Sequence, residues 1–223
     1  RAELQRRLDA GQLTPEAATE IASEASTMFL ETHRQNGVEL LEGVDLLMDL
    51  ALLPDPALAA AGSLSFLRIF WDLSNTLTHA DTAVKRRVVA RMLTRMRQVL
   101  PALDTRLTTL GLPTEFSLVE RVTRISQPHS FDAARRESVT KVVLFSRGSV
   151  GSDVALTSMA VKRALTIFPN AQILVYGDPR ILNDIFGGES RVIVRELAYS
   201  RAPTSLVESV RDVWLKVMEE GTI

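Results

Sequence analysis

Near residue 139 the apolar pattern of this chain changes its period, and that change restricts the fold more than any other feature of the sequence. Before it, apolar residues recur every three or four positions, the spacing of amphipathic helices. After it, short continuous apolar runs alternate with helical stripes. Lys141-Val142-Val143-Leu144-Phe145-Ser146 is the first run, and a stripe of Val154, Leu156, Met159, Ala160 and Leu165 follows. Gln172-Ile173-Leu174-Val175-Tyr176 and Arg191-Val192-Ile193-Val194 are two further runs, separated by a short stripe of Ile181, Leu182, Ile185 and Phe186. A final stripe, capped by Thr204, runs through Leu206, Val207, Val210, Val213, Trp214 and Val217. Buried parallel strands carry continuous runs, and strand–helix alternation in this order is half of a doubly wound sheet. The expected architecture is an all-α helical bundle over 1–138, then an α/β domain of three parallel strands over 139–223. Gly221-Thr222-Ile223 stands where a fourth strand would begin, so the α/β domain is expected to be truncated at its C-terminal end.

Local signals divide the first half. Thr14-Pro15-Glu16 combines an N-cap, a proline at the first helical position and an acid in the first turn. Asn36-Gly37 breaks the following stripe, Pro54-Asp55-Pro56 ends the next, Pro101 divides a later one, and Gly111 and Pro113 stop it. The segment Leu64, Phe66, Leu67, Ile69, Phe70, Trp71, Leu73 is apolar on nearly all sides, which places Trp71 and its aromatic neighbours in the core. Phe116, Val119, Val122 and Ile125 mark one more short helix. Lys85, Arg86, Arg87, Arg91, Arg95 and Arg97 form a basic cluster, read as a solvated helix face or as a grip for lipid headgroups or phosphates at a membrane surface. Glu42, Asp45 and Asp49 share one helical face, a solvated acidic stripe or a cation site.

Composition removes several function classes. The chain has no cysteine, so disulfides, thiolate metal sites and cysteine nucleophiles are excluded. Its three histidines, His33, His79 and His129, have no metal-ligand spacing, and no metal site is expected. Residues 1–137 carry 16 basic and 18 acidic side chains and the remainder 10 and 9, so neither half has the footprint of a nucleic-acid binder. Without a bilayer-length apolar run or a signal-peptide pattern, the cytoplasm is the expected address.

One loop carries chemistry. Gly148-Ser149-Val150-Gly151-Ser152-Asp153 links the first strand to a helix, at the edge of the sheet where doubly wound folds bind ligands. Glycines allow close backbone approach, and a helix N-terminus favours an anion or developing negative charge. No Gly-Lys-Ser/Thr follows, and the third glycine of a dinucleotide fingerprint would fall at Asp153, so neither of those motifs fits. On spacing alone, Ser152 or Asp153 is a helix cap.

The stretch Ser149-Val150-Gly151-Ser152-Asp153-Val154-Ala155-Leu156-Thr157-Ser158, with Ile167-Phe168-Pro169-Asn170-Ala171-Gln172-Ile173 after it, resembles the amino-terminal Rossmann-like domain of the heptosyltransferase-like (family 9) GT-B glycosyltransferases. The resemblance covers the last third of the chain, and Ser152 is an insertion relative to the family's Gly-Asp-Val. It implies an enzyme that moves a sugar from a nucleotide-sugar donor to a hydroxyl of a glycan, lipid-linked or protein acceptor, without metal or other cofactor. Asp153 then matches the general base, while Gly148, Ser149, Gly151, Ser152 and Thr157 match the substrate-binding loop. GT-B enzymes bind the donor in a second Rossmann-like domain, which the residues here do not supply. The competing expectation is a non-catalytic interaction or scaffold protein, in which the helical half docks a partner, a membrane surface or a second copy of the chain. A third is another nucleotide-binding enzyme using the same loop.

Overall fold

A computed structural model describes residues 6, 12–76, 78–127, 131–146, 150–197 and 206–220. The chain is mostly helical with one small open parallel sheet, and it divides into two compact units: Arg1–Gln127 with Arg201–Ile223, and Pro128–Ser200. No described helix is long and apolar enough to cross a membrane.

The helical unit contains α1 (Pro15–Asn36), α2 (Leu41–Ala51), α3 (Pro56–Asn75), α4 (His79–Arg97), α5 (Pro101–Thr109) and α6 (Glu115–Ser126). Its boundaries follow the local signals. The Thr14 hydroxyl accepts from the Ala17 amide at 3.2 Å, and α1 stops at Gly37, whose φ of +66° few side chains tolerate. Asp55 caps α3 by accepting from the amides of Ala57 and Leu58, so the Pro-Asp-Pro stretch starts a helix as well as ending one. Pro101 opens α5, and Thr114 and Ser117 form a reciprocal cap on α6. Phe29, Leu47, Met48, Phe66, Ile69, Met92, Leu93 and Leu118 fill the core, each fully buried. The α2 and α3 backbones meet at Gly62, where a Cβ would lie 2.4 Å from the Leu47 carbonyl oxygen and 2.5 Å from the Ala51 nitrogen.

Two expectations fail in this unit, and one residue that marked a helix in the sequence faces outward. Trp71 is 55 % exposed and Leu64 50 %, so α3 has a wet face; hydrophobicity all round did not mean burial all round. Phe116 is 70 % exposed, because α6 buries Leu118, Arg121 and Val122 instead. The last helix, α9 (Leu206–Glu220), was expected on the sheet, with the domain boundary at 138. Its Val207, Leu215 and Met218 instead join the helical core, and the unit boundary falls at Gln127. An amphipathic stripe states that a helix needs an apolar partner but not which one. Its expected cap, Thr204, lies outside the described residues.

The second unit holds β1 (Lys141–Phe145), β2 (Gln172–Gly177) and β3 (Val192–Glu196), parallel and in the order β1-β2-β3. Val142, Ile173 and Val192 lie side by side, as do Leu144, Val175 and Val194. These six residues face one core with Val161 and Ala164 of α7 (Ser158–Ile167) and Leu182 and Phe186 of α8 (Pro179–Phe186). Both connecting helices therefore cover the same face, as two successive right-handed crossovers require.

Candidate functional site

The geometry that matters begins where β1 ends. Ser146 continues the ladder by donating its amide to the Tyr176 carbonyl at 2.8 Å. Beside it, β2 ends at Gly177, where a Cβ would lie 2.6 Å from the Ser146 Cβ and 2.8 Å from Leu182 Cδ1. Glycine there lets the two strand ends converge. After β1 the chain re-enters at one helical turn, Val150–Ser152, passes through a five-residue π-helical segment, Asp153–Thr157, and continues as α7. Single π turns inside helices widen the coil and recur at functional sites.

Asp153 is 1 % exposed and Thr157 5 %. The Asp153 carboxylate accepts from the Ser146 hydroxyl at 2.7 Å and from the Thr157 hydroxyl at 2.8 Å. Buried carboxylates need such donors, and these two tie the strand end to the π segment. Of the residues expected at the site, Asp153 and Thr157 are thus brought together. Ser152 is half-buried beside them and Gly151 is exposed, with open space where a Cβ would stand. Gly148 and Ser149 lie outside the described residues.

The loop differs from its sequence reading in two respects. Neither Ser152 nor Asp153 caps the helix: Ser152 has helical angles, and its side chain makes no cap bond to the segment that follows. Most of the expected apolar stripe points out, with Val154 54 %, Leu156 53 % and Met159 68 % exposed, and only its last member, Leu165, packs on the core. The inward face is Asp153, Thr157, Val161 and Ala164, so its first two positions are polar and disguise the period. Ser146 and Gly177 escaped the sequence reading. Ser146 looked like the polar end of a strand and Gly177 like turn punctuation before Asp178-Pro179.

Four arginines of the α4 cluster, Arg87, Arg91, Arg95 and Arg97, are engaged within the unit. Asp45, 4 % exposed, accepts from Arg91 Nε and Nη2, both at 2.8 Å, and Arg91 Nη1 reaches Glu115 at 2.9 Å. Arg87 pairs with Glu39, Arg95 with Asp49, and Arg97 with Asp104 and the Leu112 and Pro113 carbonyls. The hydrogen bonds that Arg91 donates to Asp45 and Glu115 hold its pKa above the ordinary value. This ladder engages Asp45 and Asp49 of the acidic stripe, Glu42 staying exposed, and among the described residues no group of three or more metal-ligating side chains could hold an ion. His33 is engaged too, with Nε2 2.6 Å from Asp81 Oδ1.

A carboxylate between two hydroxyls can take a proton, hold a hydroxylated ligand, or brace the loop. No protein-family model, curated protein or solved structure matches the chain.

Proposed function

We propose that the α/β unit is the acceptor side of a GT-B-like, metal-independent glycosyltransferase, with Asp153 as the ultimate proton acceptor. The observation that carries the reading is the pairing of Asp153 with the Ser146 hydroxyl at the carboxyl end of β1. That edge is where ligands sit in doubly wound sheets, and the strand order β1-β2-β3 with both helices on one face is that of one such half-sheet. In this scheme the acceptor hydroxyl oxygen attacks the anomeric carbon of the nucleotide sugar while the bond to the diphosphate breaks. The hydroxyl proton passes to Ser146 Oγ as the Ser146 proton passes to Asp153, and the leaving electron pair stays on the diphosphate. Ser146 is assigned as the intermediary because its hydroxyl donates to Asp153 and it is 6 % exposed where Asp153 is 1 % exposed. Gly148, Ser149, Gly151 and Ser152 shape the acceptor pocket, and Thr157 holds the second carboxylate oxygen.

The test is Asp153→Asn in the complete protein, assayed against a panel of nucleotide sugars. Transfer should fall by about 10²- to 10⁴-fold, the usual worth of a positioned base, with donor binding retained. Unchanged transfer would remove Asp153 from the mechanism. Ser146→Ala should slow transfer comparably; if it does not, the proton goes to Asp153 directly.

A second reading rests on the same burial. A carboxylate 1 % exposed and held by two nearby hydroxyls also suits a purely structural brace in a non-catalytic interaction protein, where the helical unit does the binding. Absence of nucleotide-sugar binding by the complete protein, with self-association through the helical unit, would favour it.

A further inference from the structure

Among the described residues one cation falls in the buried class, Arg121 of α6, 8 % exposed. Its Nη2 donates to the Met218 carbonyl in the last turn of α9 at 2.8 Å, where the negative end of the helix dipole offers partial compensation. Its Nε is buried without a hydrogen-bond partner, and no carboxylate pairs with it. Glu219, next to Met218, is engaged by Arg106 and Lys216 instead. Burial first, and then the like charge of Arg124, push the Arg121 pKa down. A guanidinium nevertheless stays charged. The contrast with Asp45 is direct: the helical unit surrounds its buried anion with guanidinium groups and leaves its buried cation without an anion.

Arg121 and Arg124 line one cleft of about 460 Å³ on α6, together with Ser117, Thr123, Gln127 and the exposed carboxylate of Glu120. Two guanidiniums against one carboxylate leave the cleft with a net charge of about +1. We propose that this cleft binds a phosphate-type oxyanion, which supplies the negative charge that Arg121 lacks. Arginine suits the task because its planar fork of donors matches a tetrahedral or carboxylate oxyanion. The site lies in the helical unit and does not depend on the glycosyl-transfer reading; either can fail without the other.

The experiment is a titration of the full chain with inorganic phosphate, following thermal unfolding against sodium chloride at equal ionic strength. A saturable rise in unfolding temperature that chloride does not reproduce is the expected result. Arg124→Gln should weaken the apparent affinity by about tenfold, the worth of one charged hydrogen bond. Glu120→Gln should tighten it by a few-fold, on the order expected for removing one exposed like charge. Arg121→Met should abolish the response; should that variant not fold, the two exposed positions carry the test. The proposal is overturned if phosphate acts no differently from chloride, if Arg124→Gln leaves the response unchanged, or if acetate reproduces it in full.

Discussion

In the helical unit the buried carboxylate, Asp45, sits against the guanidinium of Arg91; in the α/β unit the buried carboxylate, Asp153, accepts from the hydroxyls of Ser146 and Thr157. A guanidinium cannot give up its proton and is fixed by a planar fork, so the first arrangement is a staple between helices α2 and α4. A hydroxyl donates and accepts, rotates freely and can exchange its partner for a ligand or pass a proton on. The same residue type is therefore fixed by a cation in one unit and held by hydroxyls in the other. The partner, not the burial, makes the difference.

That comparison can be broken or sharpened unit by unit, because both tryptophans, Trp71 and Trp214, lie in the helical unit and report on it alone, while amide exchange in β2 reports on the sheet. The largest effect is expected for Asp45→Ala. It strips Arg91 of its main partner inside the unit and should cost about 3–5 kcal/mol in urea unfolding followed by tryptophan fluorescence. A loss below about 1 kcal/mol would mean that the staple is an exposed pair in disguise. Gly62→Ala comes next, because backbone atoms on α2 and α3 cannot retreat from the added methyl as a flexible side chain would. A loss of about 2–3 kcal/mol in the same transition is expected from overpacking of this kind.

Thr157→Val should cost about 1–2 kcal/mol, since it removes one donor from a buried carboxylate. Exchange should quicken in β1 and α7 while the tryptophan transition stays where it was. If that transition moves as well, the two units do not unfold separately, and single-probe stabilities cannot be assigned to either. The smallest effect is set by pH. Hydrogen bonds from Thr76, Thr78 and His33 hold the Asp81 carboxyl down at about 2, below its usual 3.8. A depressed folded pKa adds stability that is complete above the unfolded value and fades as pH falls from about 4 towards 2. With Asp81 16 % exposed, solvent leaves roughly 1 kcal/mol of this. Asp81→Asn should lose that much at pH 7, and the gap between variant and wild type should close over the same acid range.

Local signals explain why so much of the fold was legible. Thr14-Pro15, Gly37, Pro101 and the Gly111–Pro113 stop each act within a few residues of themselves, through a cap, a positive φ or a missing N–H, and each stands where its chemistry places it. The strands were legible for the same reason, as runs of β-branched and aromatic residues too short for helices. What failed was the choice of face. Val154, Leu156 and Met159 look like a buried stripe, and only the sheet beneath them shows that Asp153 and Thr157 point inward. Trp71 failed likewise, because a segment apolar on all sides carries no record of which side its neighbours leave uncovered.

The candidate site was half legible. Asp153 and Thr157 were singled out only by the resemblance of the loop to the heptosyltransferase-like family, the spacing alone giving no more than a helix cap, whereas Ser146 becomes part of the site only because β1 ends beside the π segment.

By itself, then, the sequence determined the elements, their order and the change from helical bundle to parallel sheet. Those follow from backbone propensities and periodicities that operate over a few residues. Tertiary structure alone decided that Arg91 reaches Asp45 across 46 positions, that α9 returns to the helical core, and that Arg121 is buried without a counter-ion. Pairings at such separations depend on how side chains of similar size and charge compete for the same packed space, and that competition is settled by the whole core at once.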